Sequence, residues 1–422
     1  MAYEYKIYLE RIHKGQVDME KQRILIVHNY YQIPGGEDTV VANEQRMLEK
    51  HGHETFLYSR NNSELNTLSK IQKMCLPFST IFNIKTYREV KRIIKEKRID
   101  IVHVHNTLNL ISPSVYYAAL RCKVPVVQTV HNFRLLCPSA VFYRDGHVCE
   151  DCVKYGLWCA VKHKCYRNSR IQTLACVVNT KIHRITGIYG KINYICLTEF
   201  NKKKLLQLKQ IKKQNVYVKP NFTREDIFKD MSKEISRGIS KEMMVYEKRK
   251  NQFVFVGRLD KLKGINLLLK TWGMIEKNEA KLIICGTGPM EEWCRQYIKK
   301  NRFQNVVMKG FISNLEVKQL LAESRALIFP TQWYEGFPMN ILESFSVGTP
   351  VICSDFGNAD DIVMEGITGC KFHYNSPDEL IQAIKRLNDY KNIYQTTKDK
   401  YEKEYTENQN YETLIGIYKV LL

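Results

Sequence analysis

The stretch from Phe255 to Gly264, FVGRLDKLKG, indicates how the second half of this chain folds. The apolar run Gln252–Val256 is typical of a buried strand. It ends in Gly257 and Arg258, and the pattern predicts a helix that begins near residue 264. A buried strand followed by a glycine turn and a helix is typical of a βαβ unit in a parallel sheet.

The same alternation of apolar runs and helical segments extends in both directions from this stretch. In the second half we predict strands at Gln252–Val256, Ala280–Cys285, Asn305–Lys309, Ala326–Phe329 and Pro350–Cys353. In the first half we predict strands at Arg23–His28, Glu54–Tyr58, Asp100–His105, Pro125–Val130 and Tyr194–Thr198. Near-continuous apolar strands between helices are typical of parallel sheets covered on both faces. The sequence therefore predicts an α/β protein with two Rossmann-like domains whose sheets face each other across a cleft.

The charged stretch 224–251 carries no clear strand and separates the two series. We expect the following parts: an N-terminal extension, 1–22; a first domain, 23–240, with a Cys-rich insertion, 135–167; a second domain, 250–392; and a C-terminal helix, 393–422, that packs back on the first domain. Ligands of open parallel sheets bind at the carboxyl ends of the strands. We therefore expect the site in the cleft between the domains.

The composition is that of a globular protein, and the charge is asymmetric. The chain has 422 residues, of which 44 % are hydrophobic and 26 % charged, which excludes wholesale disorder and a small disulfide scaffold. The net charge is +21. Residues 1–250 hold 44 Lys and Arg against 23 Asp and Glu, and residues 251–392 hold 17 against 16. Such asymmetry predicts an anionic partner for the first half: nucleic acid, a membrane surface or a phosphorylated substrate.

The sequence also indicates the cellular compartment of the protein. No run of 18 uncharged apolar residues and no signal peptide is evident, so we expect a cytoplasmic protein with reduced cysteines. The basic stretch 202–213 carries an apolar stripe, and two interpretations are open for it. One is contact with an anionic membrane surface, on the inner face of the cell membrane, and the other is an ordinary surface helix.

The stretch from Trp333 to Glu343, WYEGFPMNILE, is the most specific motif. Glu335 precedes a helix that Pro338 favours in its first turn, and Glu343 lies within that helix. Phosphate oxygens can bind to the backbone amides at the start of this helix, from Phe337 to Ile341, where Pro338 alone has no N–H. Carboxylates accept well from vicinal sugar hydroxyls. The alternative is a capped helix whose acidic residues its dipole favours.

Arg258 and Lys263 follow the strand that ends at Val256, where two fixed cations can clamp a diphosphate. The alternative is two solvated surface cations. No pair of aspartates is spaced D-x-D, so a metal held by two carboxylates and a substrate diphosphate is not indicated. A further glycine turn, Pro34 to Thr39, follows the first strand, and Gly36 there leaves backbone N–H groups open to an anion. An ordinary βα turn capped by Asp38 is the alternative.

In this order and at these spacings the motifs resemble glycosyltransferase family four, whose members are retaining nucleotide-sugar transferases with the two-domain GT-B fold. The resemblance covers about residues 23–390. The segments that carry it are Gly257-Arg258 with Lys263, Gly286–Pro289, Lys309-Gly310-Phe311, Glu335 with Glu343, Gly35-Gly36-Glu37 and Thr129-Val130-His131-Asn132. It implies sugar transfer from a nucleotide diphosphate donor, with no catalytic metal.

The resemblance also implies roles for single residues. Arg258 and Lys263 would neutralise the donor diphosphate, and Glu343 would accept from the ribose hydroxyls. Glu335 and His131 would lie beside the transferred sugar. The donor-binding set it implies is Gly36, Gly257, Arg258, Lys263, Gly310, Phe311, Glu335, Phe337, Pro338, Met339, Asn340, Ile341 and Glu343. Many relatives have Asp where this chain has Asn132, and residues 357–361 also depart from the family pattern, so neither is assigned a role.

Five cysteines lie within 29 residues in the insertion, at positions 137, 149, 152, 159 and 165. The Cys149-x-x-Cys152 spacing, completed by Cys137 and Cys165, predicts a structural zinc site. Free thiols or redox pairing are the alternatives. A similar insertion in some family members favours a structural role.

The sequence thus predicts a glycosyltransferase with a nucleotide sugar as donor. We expect its acceptor to be an anionic lipid-linked oligosaccharide or a polysaccharide, in cell-surface polysaccharide biosynthesis, and we expect no nucleic acid. Two alternatives are open: a nucleic-acid-binding protein with a zinc-thiolate cluster, and a nucleotide-sugar epimerase or phosphorylase on the same fold. The charge-neutral second half with its paired glutamates argues against the first.

Overall fold

A computed structural model describes residues 20–32, 35–224, 249–275 and 280–422. The predicted N-terminal extension as far as residue 19 and the predicted boundary at residue 240 lie outside the described residues. The described chain forms two compact units. The first holds the residues up to Phe142, Cys149–Asn221 and Asn408–Leu422, and the second holds Tyr143–Val148 and Phe222–Glu407.

The first unit contains a six-stranded sheet in which every pair of neighbours is parallel. Its strands are β1 Arg23–Tyr30, β2 Glu54–Asn61, β3 Ile101–Asn106, β4 Val126–Val130, β7 Asn193–Cys196 and β8 Val216–Val218. Their spatial order is β2-β1-β3-β4-β7-β8. Ile24 to Val27 in β1 are fully buried, as expected for a strand covered on both faces.

Helices flank this sheet, and a two-stranded hairpin, β5 Tyr143–Arg144 with β6 His147–Val148, interrupts the chain. The helices are α1 Gly36–Lys50, α2 Lys70–Ile81, α3 Ile84–Glu96, α4 Ser114–Arg121, α5 Asp151–Lys154, α6 Trp158–Lys162, α7 Arg170–Ile185 and α8 Glu199–Leu205. Helix α3 has a side-chain N-cap: the Asn83 side chain accepts the Thr86 N–H at 3.1 Å.

The second unit has its own six-stranded parallel sheet. The strands are β9 Lys250–Val256, β10 Lys281–Cys285, β11 Val306–Gly310, β12 Ser324–Phe329, β13 Val351–Ser354 and β14 Gly369–Phe372. The order β11-β10-β9-β12-β13-β14 reverses direction between β9 and β12. Such a switch point opens a crevice at the carboxyl ends of its two strands. The predicted α/β class with two Rossmann-like parallel sheets is confirmed.

The helices of the second unit are α9 Ile265–Trp272, α10 Glu291–Lys300, α11 Asn314–Glu323, α12 Met339–Ser346, α13 Gly357–Ile362, α14 Pro377–Arg386 and α15 Ile393–Glu404. The last helix, α16 Glu407–Leu421, packs in the first unit from Asn408 onward. There the Tyr411 hydroxyl lies 2.9 Å from His53 Nε2, and the Tyr418 hydroxyl lies 2.6 Å from His103 Nδ1. The described helices include none that is both long and apolar enough to cross a bilayer.

Two glycines let neighbouring loops of the second unit pass close to each other. Gly286 after β10 has φ +129°, and a Cβ there would lie 1.9 Å from the Gly257 carbonyl oxygen. Gly264 has φ +73°, and a Cβ there would lie 1.8 Å from the Pro330 carbonyl oxygen. These contacts bring the loops that follow β9, β10 and β12 together at the switch point. Gly286 thus has a packing role that does not depend on a ligand.

The basic stretch 202–213 is not a membrane-facing amphipathic helix. Helix α8 ends at Leu205, and the apolar stripe turns inward: Leu205, Leu208 and Ile211 are 2 %, 8 % and 4 % exposed. The stripe that suggested membrane contact is therefore part of the core of the first unit.

Candidate functional site

Glu335 is the most constrained predicted site residue in the second unit. Lys263 Nζ donates to both of its carboxylate oxygens, at 2.8 and 2.9 Å. The Thr331 hydroxyl and the Trp333 indole N–H donate to Oε1 at 3.0 and 2.9 Å. The Glu335 side chain is only 7 % exposed, whereas that of Lys263 is 24 % exposed. The structure thus brings Lys263 and Glu335 into direct contact, as a buried carboxylate with a partly open cation.

The local sequence explains this placement. Lys263 ends a short 3₁₀ turn, Lys261–Lys263, that begins where Asp260 accepts the Lys263 N–H at 3.1 Å. Thr331 and Trp333 follow β12, the strand that neighbours β9 in the sheet. The two loops therefore meet at the switch point, where a bound ligand is expected.

A cavity of about 490 Å³ opens next to the carboxyl ends of β9, β10 and β11. It is within the size range of small-molecule sites. Its lining includes five predicted donor-binding residues: Gly257, Arg258, Phe311, Asn340 and Glu343. The Arg258 side chain is 69 % exposed and Phe311 is 84 % exposed, so a cation and an aromatic ring are both open to a ligand. The other predicted members of the second unit lie outside this lining: Lys263, Gly310, Glu335, Phe337, Pro338, Met339 and Ile341.

Glu343 has a neighbour that sequence reasoning missed. Burial raises the pKa of the Glu343 carboxyl, and the ammonium group of Lys318 opposes that rise. Burial lowers the pKa of Lys318 to about 8, against the attraction of Glu343. Lys318 lies on α11, 25 residues from Glu343 in the sequence. Nothing in the α11 pattern distinguishes it from a solvated helix lysine, so only the fold reveals the pair.

The turn into α12 is held by side chains as well as backbone. The Asn340 side-chain amide donates to the Val256 carbonyl at 2.5 Å, which ties this turn to the end of β9. The Asn358 amide donates to the Gly336 carbonyl at 2.8 Å and to the Glu335 carbonyl. Residues 357–361, to which the sequence assigned no role, therefore support the Glu335 loop. The Ile341 N–H donates to the Pro338 carbonyl at 3.1 Å, so that amide is already engaged.

In the first unit the glycine turn leads into α1, and Asp38 caps it from a different position than the alternative interpretation expected: Gly35 is the N-cap residue, and Asp38 is the third residue of the helix. The Gly35 N–H donates to Asp38 Oδ2 at 2.8 Å, and Asp38 Oδ1 lies 2.7 Å from His28 Nε2. At Gly36 a Cβ would meet no atom within 4 Å, so the turn itself does not require glycine there. Burial raises the pKa of Glu37 to about 8, although the Tyr31 hydroxyl donates to it at 2.9 Å.

His131 lies at the end of β4 and belongs to a buried network. Its Nε2 is 2.9 Å from His105 Nδ1, and His105 Nε2 is 3.7 Å from Glu44 Oε1. The other Glu44 oxygen accepts from Lys219 Nζ at 3.0 Å. Lys219 and His103 hold the pKa of Glu44 well below its usual value despite burial, so its carboxylate is ionised.

This network sets the protonation of His131. Burial lowers the pKa of His131 to about 3 and that of His105 well below its usual value, so both rings are neutral at neutral pH. We assign the proton of His105 to Nε2, where it faces the ionised Glu44. His105 Nδ1 then accepts the N–H of His131 Nε2, which leaves the His131 Nδ1 lone pair as an acceptor for a ligand.

His131 also lines a cavity of the first unit with polar walls. Arg134, Asn179 and Thr180 contribute to the same lining. Arg134 Nη1 and Asn179 Oδ1 are buried and have no hydrogen-bond partner among the described residues. Buried polar atoms of this kind are expected to pair with a ligand or with water. The first unit therefore has a small polar cavity of about 60 Å³ beside His131.

The predicted zinc ligand set is not supported. No three of the sulfur atoms of Cys137, Cys149, Cys152 and Cys165 lie within 4.8 Å of one another, a distance that ligands of one zinc ion require. Cys152 instead packs with Leu157, Ala160 and Val177 in a small apolar cluster. Burial raises the pKa of the Cys152 thiol to about 12. Cys159 and Cys165 are partly buried against the same cluster, so three of the five cysteines contribute to its packing.

Within the described residues, one group of His and Glu side chains does meet that distance: Glu44, His103 and His105. Lys219 already neutralises the Glu44 carboxylate at 3.0 Å. We therefore interpret this group as a buried ion-pair network and not as a metal site.

Comparison with known families matches both halves of the chain. The family model described as "Glycosyl transferases group 1" matches residues 239–405. The model described as "Glycosyltransferase Family 4" matches residues 34–148. The two matched ranges contain the switch-point site and the glycine turn with His131.

Individual relatives include glycosyltransferases as well. An uncharacterized glycosyltransferase of Methanocaldococcus jannaschii is 31 % identical over 179 residues, which cover 40 % of this chain and 45 % of that protein. The chain thus spans about half the length of that curated relative. A UDP-Gal:alpha-D-GlcNAc-diphosphoundecaprenol alpha-1,3-galactosyltransferase of Escherichia coli is 24 % identical over 330 residues, which cover 76 % of this chain and 74 % of the relative.

Among solved structures, Anabaena Alr3699/HepE in complex with UDP has a TM-score of 0.62 at 15 % identity. The superposition covers 94 % of this chain and 100 % of that one. A likeness at this identity establishes a shared fold.

Proposed function

This chain belongs to glycosyltransferase family four, and we propose that it transfers a sugar from a nucleotide diphosphate donor to a polysaccharide or lipid-linked oligosaccharide. The observation that carries the proposal is the switch-point site of the second unit. There Glu335, held by Lys263, lies in the loop after β12, and the neighbouring cavity is lined by Arg258 and Glu343. We place the reaction in cell-surface polysaccharide biosynthesis.

The proposed chemistry follows from where charge develops. Cleavage of the sugar–phosphate bond leaves negative charge on the diphosphate and positive charge on the anomeric carbon. Arg258 and Lys263 would stabilise the negative charge of the diphosphate, with backbone amides at the N-terminal turn of α12 as further donors. We propose that Glu335, which already accepts from Lys263, Thr331 and Trp333, also accepts a hydroxyl of the transferred sugar. We propose that the anomeric configuration is retained, as in the family.

We propose that no catalytic metal is needed. The sequence has no D-x-D pair to hold a metal against the diphosphate. Arg258 and Lys263 would supply the positive charge that a metal ion supplies elsewhere. A metal-independent enzyme keeps its full rate in a chelator, which an assay with excess EDTA measures directly.

The donor is proposed to bind with its ribose at Glu343 and its base against Phe311. Both line the cavity, and Phe311 offers an exposed ring for stacking. The neighbouring structure of Alr3699/HepE contains UDP, which makes a uridine nucleotide the first candidate. The acceptor is proposed to bind in the first unit beside His131, where Arg134 and Asn179 offer unpartnered polar atoms.

The first test is a thermal-shift screen with UDP, GDP, ADP and their sugar conjugates, with and without EDTA. We expect one nucleotide to raise the melting temperature of the wild type, and Glu343→Ala to lose that shift. Glu292→Ala, a change at an exposed glutamate of α10, is the matched control and should keep it. No shift with any nucleotide would contradict the donor site.

The second test is transfer from the sugar conjugate of that nucleotide to membrane lipid extracts or polysaccharide. We expect a labelled product only when acceptor is present. Conversion of the donor without acceptor would instead indicate an epimerase or a hydrolase.

A further inference from the structure

Helix α7 has its polar and apolar faces inverted relative to an ordinary surface helix. It buries mainly small or polar side chains, namely those of Thr173, Cys176, Val177, Asn179, Thr180 and His183. It exposes Ile171, Leu174, Ile182 and Ile185, at 78 %, 37 %, 37 % and 78 %. These four follow one another at intervals of three, eight and three residues, so they lie on one side of the helix. A helix with water on that side is expected to show the opposite pattern.

Helix α2 adds a second exposed apolar stripe. Ile71, Met74 and Phe78, at spacings of three and four residues, are 75 %, 76 % and 75 % exposed. Helices α2 and α7 contact each other, and the His183 Nε2–H donates to the Ile81 carbonyl at 2.9 Å. We refer to these seven residues of α2 and α7 as the apolar face. A connected exposed apolar area on a folded protein is typical of an interaction surface.

The surroundings of the apolar face are cationic. Residues 65–88 contain four Lys or Arg and no Asp or Glu, and residues 152–198 contain eight and none. On α7, Arg170 and Lys181 are exposed and border the apolar stripe, and on α2 Lys70 does the same. A binding partner complementary to this surface has apolar groups next to negatively charged groups.

We propose that the apolar face docks this protein on an anionic lipid bilayer, with the side chains of α2 and α7 inserted among the acyl chains near the headgroups. Interfacial helices bind in this way when apolar insertion is combined with attraction to anionic lipids. The positive border favours a lipid surface over a second copy of this chain, which would oppose like charges. The stretch 202–213 has no part in this contact, because its apolar stripe is buried.

The position of α7 relative to the first-unit cavity gives the docking a purpose. Asn179 and Thr180, on the buried side of the same helix, line the cavity that contains His131. Docking through the outer side of α7 therefore holds that cavity within about one helix diameter of the bilayer surface. This purpose rests on the proposed function, since it explains how a lipid-linked acceptor reaches His131. The docking itself does not depend on the proposed function.

The test is flotation of the full chain with phosphatidylglycerol–phosphatidylcholine vesicles and with pure phosphatidylcholine vesicles. We expect wild type to float with the anionic vesicles and much less with the neutral ones. Met74→Ser/Ile185→Ser should weaken the apparent lipid affinity by at least about tenfold. Arg170→Gln/Lys181→Gln should also weaken it and should reduce its dependence on salt.

Matched controls come from the second unit. Met274→Ser/Ile367→Ser removes two exposed apolar side chains, and Lys270→Gln/Lys281→Gln removes two exposed lysines. Both should float like wild type. The proposal is overturned if wild type does not float with anionic vesicles, or if Met74→Ser/Ile185→Ser floats as well as its control. Concentration-dependent dimerisation that this variant abolishes would assign the apolar face to a second copy instead.

Flotation is measured without donor or acceptor, so it is independent of the proposed reaction. Vesicle binding without any sugar transfer would contradict the proposed function and leave the docking intact. Transfer to a short water-soluble acceptor by a chain that does not bind vesicles would contradict the docking and leave the proposed function intact.

Discussion

Glu335 owes its position to three donors, of which Lys263 alone neutralises its charge. Lys263→Met would leave a carboxylate that is 7 % exposed without its cation. We expect a loss of about 2 kcal/mol of stability for the unit and of about a hundredfold in kcat/KM. Chemical denaturation and initial-rate kinetics measure the two effects.

The double variant Lys263→Met/Glu335→Gln separates structure from function. An amide in place of the carboxylate still accepts from Thr331 and Trp333 and carries no charge. We expect most of the stability to return while activity stays low. Recovery of both would contradict the proposed roles of the Lys263 charge and of the Glu335 carboxylate.

The histidines of the first unit predict a loss of stability in mild acid. Burial keeps the pKa of His105 well below its usual value of 6.5, so the unfolded chain binds a proton that the folded chain refuses. Stability from this group is therefore present above pH 6.5 and is lost as pH falls below it. At pH 5.5 the cost is about 1.4 kcal/mol for His105 alone.

Urea denaturation at pH 7.5 and pH 5.5 tests this expectation. His105→Gln removes the group, so the difference in unfolding free energy between the two pH values should shrink by about that amount. Substitution of the exposed His147 in the same way should leave the difference unchanged. An unaltered pH dependence in His105→Gln would show that other groups cause the acid sensitivity.

At the scale of elements, some glycine turns require glycine for the fold and others do not. Gly286→Ala would place a methyl group 1.9 Å from the Gly257 carbonyl oxygen, at φ +129°. We expect it to destabilise the second unit by at least about 3 kcal/mol. Gly36→Ala meets no atom and lies at the start of α1, so its stability should stay within about 0.5 kcal/mol of wild type.

Activity then distinguishes the two interpretations of Gly36. A ligand that approaches the backbone closely is repelled by the new methyl group, and KM should rise with little change in the melting temperature. If Gly36→Ala keeps wild-type kinetics, the turn is the ordinary capped turn that Asp38 explains by itself.

The parallel sheets were predictable because each strand is an apolar run bounded by local signals, such as the run that ends at Val256. Helix α2 was not predicted, since Pro77 lies inside it and its apolar residues do not face the core. Pairing across long separations was also beyond the sequence: Lys219 and Glu44 are 175 residues apart. The zinc prediction is not supported: Cys137, Cys159 and Cys165 lie near Cys152, but a C-x-x-C spacing does not fix whether such sulfurs come within the distance that one ion requires.

At the scale of the whole molecule, the chain returns to its first unit at the end. Helix α16 supplies Asn410, whose side-chain oxygen accepts from Lys219 Nζ at 2.9 Å, and Tyr418, whose hydroxyl lies 2.6 Å from His103 Nδ1. Both partners belong to the network that supports His131. The last helix is thus a structural part of the proposed acceptor site and not an appendage.

Truncation after Thr406 should therefore unfold or aggregate the first unit, while the second unit keeps its nucleotide-dependent thermal shift. Tyr418→Phe is the milder test, because it keeps the buried ring and removes only the hydroxyl. We expect it to cost about 1–2 kcal/mol of stability and to lower transfer to the acceptor more than it lowers donor affinity. Tyr155→Phe, at a tyrosine that is 78 % exposed, is the control. A truncated chain with wild-type melting behaviour would show that α16 is dispensable, and the network would then have to hold His131 without it.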